Sequence, residues 1–149
     1  MWLMKEEIAS VVKEAIHLRD GKEYDLIAYT IMPNHVHLVI TPIKSNNVSR
    51  SEASTNTQTN QKLYNEANAS FYVLTKILQD LKSKTALKCN KLLNRHGAFW
   101  HHESYDHVVR NIEELRRIVN YVLLNPVKAT LVDNYEKWKW NYYNPKYLI

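Results

Sequence analysis

From Lys5 to Arg19 the apolar residues Ile8, Val11, Val12, Ala15 and Ile16 recur at three- and four-residue spacing, and Gly21 follows where a helix commonly ends. This predicts a first helix. The next run, EYDLIAYTIMPNHVHLVITP from Glu23 to Pro42, is dense in β-branched and aromatic residues and is broken only by the turn dipeptide Pro33-Asn34. It predicts two antiparallel strands joined as a hairpin. Residues 44–69 change character: SNNVSRSEASTNTQTNQ has a lone valine and no aromatic side chain, so a disordered polar loop is expected there rather than a linker between domains. A helical period resumes with Phe71, Leu74, Leu78, Leu81, Thr85, Cys89 and Leu92, while Lys76, Lys84, Lys88 and Lys91 mostly fall away from that stripe.

The aromatic-rich stretch HGAFWHHESYDHVVR, residues 96–110, alternates partially and predicts a further strand. Asn111 then begins a third helix, NIEELRRIVNYVLL, with Glu114 spaced to complete a capping box. Asn125-Pro126 is expected to stop that helix and to open a short one with proline at its first position. The tail that follows mixes lysine with Tyr135, Trp138, Trp140, Tyr142 and Tyr143.

Composition narrows the setting. A chain of 149 residues suits one domain spanning residues 1–149. No run reaches the roughly 18–20 apolar residues of a membrane helix, and acidic residues near the start oppose a secretion signal, so a cytoplasmic protein without membrane contact is expected. The lone Cys89 excludes disulfide scaffolds and cysteine-rich zinc modules. A formal charge of +5 and a pI near 9.2 favour a polyanionic partner, nucleic acid before an anionic membrane.

The candidate chemistry begins with His35 and His37. Two apart on a strand, they point to the same face, where two imidazoles can share a metal ion, while Val36, Leu38 and Ile40 face the other way. An ordinary pair of surface histidines fits the same pattern. On the third helix Ile112, Leu115, Val119, Val122 and Leu123 form one arc, and Tyr121 lies roughly opposite, with Asn125 one turn on along its own face. That geometry suits a nucleophile and a ligand, or equally an edge-packed tyrosine and a capping asparagine.

YTIMPNHVHLVITP, AFWHHESYDHVVR and RRIVNYVLLNPVKATLV, in this order and spacing, resemble the single-tyrosine transposases of the HUH nuclease class, most closely the REP-associated tyrosine transposases. The resemblance runs from about Trp2 to about Trp140, outside the polar segment. It implies an α+β domain: a ferredoxin-like antiparallel sheet with helices on one face. It also implies His35, His37 and Asn125 as ligands of Mg²⁺ or Mn²⁺, with Tyr121 as nucleophile. The implied activity is nicking and joining of single-stranded or hairpin DNA through a 5′-phosphotyrosine, with a homodimer left open in which Tyr121 serves the partner's site.

Members of that family carry a strand before the first helix, in the middle of the sheet. This chain starts at the helix, so the flanking strands are expected to have open edges. The alternatives are a degenerate or domesticated relative that binds structured single strands without cutting, and a zinc-dependent hydrolase built on His35 and His37. Lys82, Lys84, Arg110, Arg117 and Lys128 are candidate phosphate contacts, each also readable as a solvated surface charge. His101, His102, Glu103 and His107 are candidates for groups at the rim of the site.

Overall fold

The computed structural model describes residues 1–43, 58–102 and 104–147; residues 58–72 are described as backbone only. Helix α1 covers Glu6–Arg19, β1 Tyr24–Ile31, β2 Val36–Pro42, α2 Gln58–Leu92, α3 Ile112–Lys128 and β3 Asn141–Tyr143. The three strands form one antiparallel sheet in the order β2-β1-β3. Helix α1 ends as its sequence suggests: Gly21, at φ +75°, donates its N–H to Tyr24 O at 2.8 Å, a left-handed turn that a side chain would strain.

Both faces of β1 are buried, and a bulge explains how. Leu26 pairs with Ile40 and Ala28 with Val39, leaving Ile27 as the extra residue. The extra residue switches the alternation, so Tyr24 and Leu26 before it share a face with Tyr29 and Ile31 after it. That face packs on Ile8, Val12 and Ile16 of α1 and Ile77, Leu81 and Cys89 of α2, with Val36, Leu38 and Ile40 of β2 joining the same cluster. The opposite face offers Ile27, Ala28 and Val39, which meet Val122 and, around it, Leu115, Ile118 and Val119 of α3.

The helices therefore do not share one face of the sheet. Helices α1 and α2 cover one side, and α3 lies across the other because Ile27 and Ala28 need cover there too.

Other expectations are also corrected. The stretch 96–110 makes no strand among the described residues. Its backbone has no free ladder on β1, which already holds β2 and β3, and it is tied down otherwise: Lys82 Nζ donates to Ser104 Oγ at 2.5 Å and Arg110 N–H to Glu114 Oε2 at 2.7 Å. Helix α2 starts at Gln58 rather than near Phe71, so the expected loop is helical over its last part; residues 44–57 lie outside the described residues.

Helix α3 is not stopped by Pro126 but runs on to Lys128, with Pro126 buried inside its final turn. Proline removes only one N–H there, and Asn125 O still receives Ala129 N–H at 2.9 Å. At the other end Asn111 Oδ1 accepts from Glu114 N–H at 2.8 Å as a cap, but the Glu114 carboxylate reaches Arg110 rather than Asn111, so the box closes one residue early.

The tail, in which no strand is legible, supplies β3. Tyr142 pairs with Tyr29, its ring stacking on Tyr29 at 5.4 Å between centroids. Strand β2 has β1 on one side, and its outer edge has no strand partner among the described residues. Among those residues, no helix is long and apolar enough to cross a membrane.

Candidate active site

The alternation of β2 sends His37 to the same side as Val39, toward α3, while Thr30 pairs with it from β1. Thr30 and Ala28 are fully buried and small, so they leave room for a helix and an imidazole on that side. His35 precedes the strand by one residue and points the same way: its Nε2 lies 3.1 Å from His37 Nε2, with the two rings edge to face.

Helix α3 meets them from across the sheet. Asn125 Nδ2 lies 3.2 Å from His37 Nε2, and the Tyr121 ring stands edge-on to the His37 ring at 5.6 Å between centroids. Tyr121 is 50% exposed, so its side chain meets solvent while its ring keeps the contact with His37. Lys128, two turns further along, puts its ammonium 4.7 Å above that ring.

Proton positions in this group are in conflict. Asn34 Oδ1 lies 2.7 Å from His35 Nδ1 and can only accept, so His35 Nδ1 donates and its Nε2 keeps a lone pair. A proton on His37 Nε2 would satisfy His35 but oppose the Asn125 amide N–H. Without that proton the amide is satisfied, and two imidazole lone pairs face each other at 3.1 Å. A cation would take both lone pairs, with the Asn125 amide turned to present its oxygen. Burial holds both imidazoles below the ordinary histidine range, and the nearby His35 adds to the effect at His37, which favours the neutral, ligating form.

The donor set of two imidazole nitrogens and one amide oxygen suits a divalent ion. Among the described residues no group of three or more His, Cys, Asp and Glu side chains gathers as a metal cage, so an ion here would draw its remaining ligands from water or substrate.

Of the candidate residues, His35, His37, Tyr121, Asn125 and Lys128 come together. Arg117 sits one turn before Tyr121 on the same face of α3 and is exposed. Arg110 is exposed ahead of α3. Lys82 and Lys84 are on α2, across the sheet from the histidines, and Lys82 is engaged with Ser104. His107 bonds Glu114 at 2.8 Å, His101 and His102 are exposed, and Glu103 lies outside the described residues.

Asn34 is the residue that sequence reasoning missed. Its place in a Pro-Asn turn already accounted for it, and its contact with His35 depends on a rotamer that no spacing reveals. No family model matches the chain, and neither a curated protein nor a solved structure matches it.

Proposed function

We propose that this chain nicks and rejoins single-stranded DNA, hairpin DNA in particular, with Tyr121 as nucleophile and a divalent ion, Mg²⁺ or Mn²⁺, held by His35, His37 and Asn125 on a ferredoxin-like HUH scaffold. The observation that carries the proposal is the meeting of Asn125 with His37 at 3.2 Å, beside Tyr121, from elements 88 residues apart in sequence. A cap or an edge-packed tyrosine would not need that meeting.

The step is a transesterification. Tyr121 Oη attacks the phosphorus of a backbone phosphodiester, losing its proton as the new O–P bond forms. The P–O3′ bond breaks, and the departing oxygen takes a proton to become a 3′-hydroxyl. The 5′-phosphotyrosine conserves the bond energy, so attack by a 3′-hydroxyl rejoins the strand without ATP. The ion, when bound, would polarise the phosphate and neutralise part of its charge. Asn34 fixes the His35 ring, His37 lies against the Tyr121 ring, and Lys128 brings a positive charge to the exposed side of the nucleophile.

The test incubates a labelled hairpin oligonucleotide with the protein and Mn²⁺, then seeks a denaturation-resistant adduct whose attached peptide contains Tyr121. An adduct mapped to Tyr105 would overturn the assignment. Hairpin binding without any adduct would favour the binding-only protein, and metal-dependent turnover that survives Tyr121→Phe would favour a hydrolase.

A further inference from the structure

His37, Thr30 and Asn141 stand in one row across the sheet: His37 of β2 pairs with Thr30 of β1, and Thr30 pairs with Asn141 of β3. Residues paired directly across strands share a face, so Asn141 meets α3 on the side where His37 does. Its amide donates one Nδ2–H to Leu123 O of α3 at 2.9 Å and the other to Tyr135 O at 3.0 Å. Helix α3 is thus tied to the row at both ends, Leu123 to Asn141 and Asn125 to His37 at 3.2 Å.

The Asn141 bonds add position rather than satisfaction. Tyr135 O already accepts the Trp138 N–H at 3.2 Å. Leu123 O lies four residues before Val127, whose N–H reaches it in an α-helix that runs to Lys128. Neither carbonyl needs the amide. The amide in turn leaves its own Oδ1 buried with no protein partner among the described residues, which a side chain serving polar pairing alone would avoid.

The other holds on α3 choose its face but not its reach. Leu115, Ile118, Val119 and Val122 pack on Ile27, Ala28 and Val39, and apolar contact is non-directional. The Asn125–His37 contact is itself given up when the Asn125 amide turns to present its oxygen. The Asn141 bond uses no atom of the histidine site and holds in either case.

We infer that Asn141 is a positioning residue for the ion site: it fixes where α3 lies along the His37–Thr30–Asn141 row, and so sets the reach of Asn125 to the His35–His37 pair. The inference rests on the reading of His35, His37 and Asn125 as the ligand set. Asn144 offers a contrast within the same tail. Its Nδ2 donates to Leu26 O at 3.2 Å and its backbone N–H to Ile27 O at 2.8 Å, both on β1, and neither bond reaches α3.

The test titrates the full chain with Mn²⁺ by calorimetry. Asn141→Leu removes both donors and keeps a side chain of similar size; it should weaken Mn²⁺ binding by about 10–100-fold, as loss of a group that orients a ligand does. Asn144→Leu, which loosens the tail alone, should keep the parent affinity. Because Asn141 acts through Asn125, Asn141→Leu added to Asn125→Ala should cost no further affinity. The visible absorption of bound Co²⁺ should move in Asn141→Leu toward that of Asn125→Ala. Thermal melts check the fold, and Asn141→Ala, which cannot overpack the site, gives the same comparison where the leucine lowers the melting temperature.

Unchanged Mn²⁺ affinity in both Asn141 variants, an equal loss in Asn144→Leu, or a further loss in the double variant would each overturn the inference. If Mn²⁺ binding is still lost when His35→Ala and His37→Ala are combined, these results would overturn the role of Asn141 alone. A parent protein that binds no Mn²⁺, or a double histidine variant that binds it as well as the parent, would overturn both readings.

Discussion

On one face of the sheet, large side chains from every neighbouring element interlock: Tyr24, Leu26, Tyr29 and Ile31 of β1 are essentially inaccessible against Ile8 and Ile16 of α1. On the other, Ile27, Ala28 and Val39 meet Val122, and beyond that small cluster the contact turns polar, through His35, His37, Asn125 and Tyr121. Stability grows with the apolar area removed from water, so the first face supplies most of it. The second face gives up part of that area and keeps titratable and nucleophilic groups where a ligand can reach them. Helix α3 is held there by its small cluster, the Asn111 cap and a bond from Asn141 Nδ2–H to Leu123 O at 2.9 Å.

The sharpest way to separate the faces is Tyr121→Phe. It should abolish adduct formation while changing thermodynamic stability by no more than about 0.5 kcal/mol, since the ring is half exposed and keeps its contact with His37. A clear fall in the unfolding free energy, read by urea titration, would mean that the second face also carries structural weight.

Ile16→Ala, in the first face, should have the opposite profile, costing about 2–5 kcal/mol in the same titration. Ile27→Ala should fall toward the lower end of that range because fewer large neighbours surround it. Equal losses at the two positions would break the contrast.

A smaller effect is expected from Asn111→Ala, which removes the cap of α3 and should cost about 1 kcal/mol. Amide hydrogen exchange should locate the loss in the first turn of α3 and leave α1 unchanged.

The smallest effect belongs to His17, on the first face. Burial lowers its pKa below the ordinary 6.5, the Lys13 charge adds to this, and Asp20 opposes it. The unfolded chain therefore takes up the proton more readily, so stability is retained above pH 6.5 and declines as the pH falls below that value toward the folded one. The melting temperature of His17→Gln should fall less than that of the parent between pH 7 and pH 5, and parallel curves would show that His17 contributes nothing.

The legible parts of the molecule were those whose pattern is local. Helix α1 follows from its three- and four-residue spacing, the hairpin from its turn dipeptide, and the start of α3 from Asn111. The shared side of His35 and His37 follows from the period of a strand, and that of Tyr121 and Asn125 from one helical turn.

What stayed hidden depends on partners. The Ile27 bulge is invisible because β1 is apolar on both sides, so a change of alternation leaves no trace in LIAYTI. Residues 96–110 have strand composition but are held by bonds to α2 and α3, such as Lys82 to Ser104 and Arg110 to Glu114, whereas Asn141–Tyr143 forms a strand against the second edge of β1. The first part of α2 lacks an apolar stripe that would announce it. Asn125 is readable as a cap or a ligand from its spacing, and its meeting with His37 depends on a packing that the spacing does not show.

Cys89 gives the first face a built-in chemical clock. It is fully inaccessible among the residues that join α1 and α2, and burial pushes its thiol up to about 11. A thiolate is the form that reacts with alkylating reagents, so the folded chain presents neither the species nor the path. Labelling at neutral pH must therefore wait for α2 to lift from α1. At saturating reagent its rate levels off at the rate with which the larger core opens, without a single substitution in the protein.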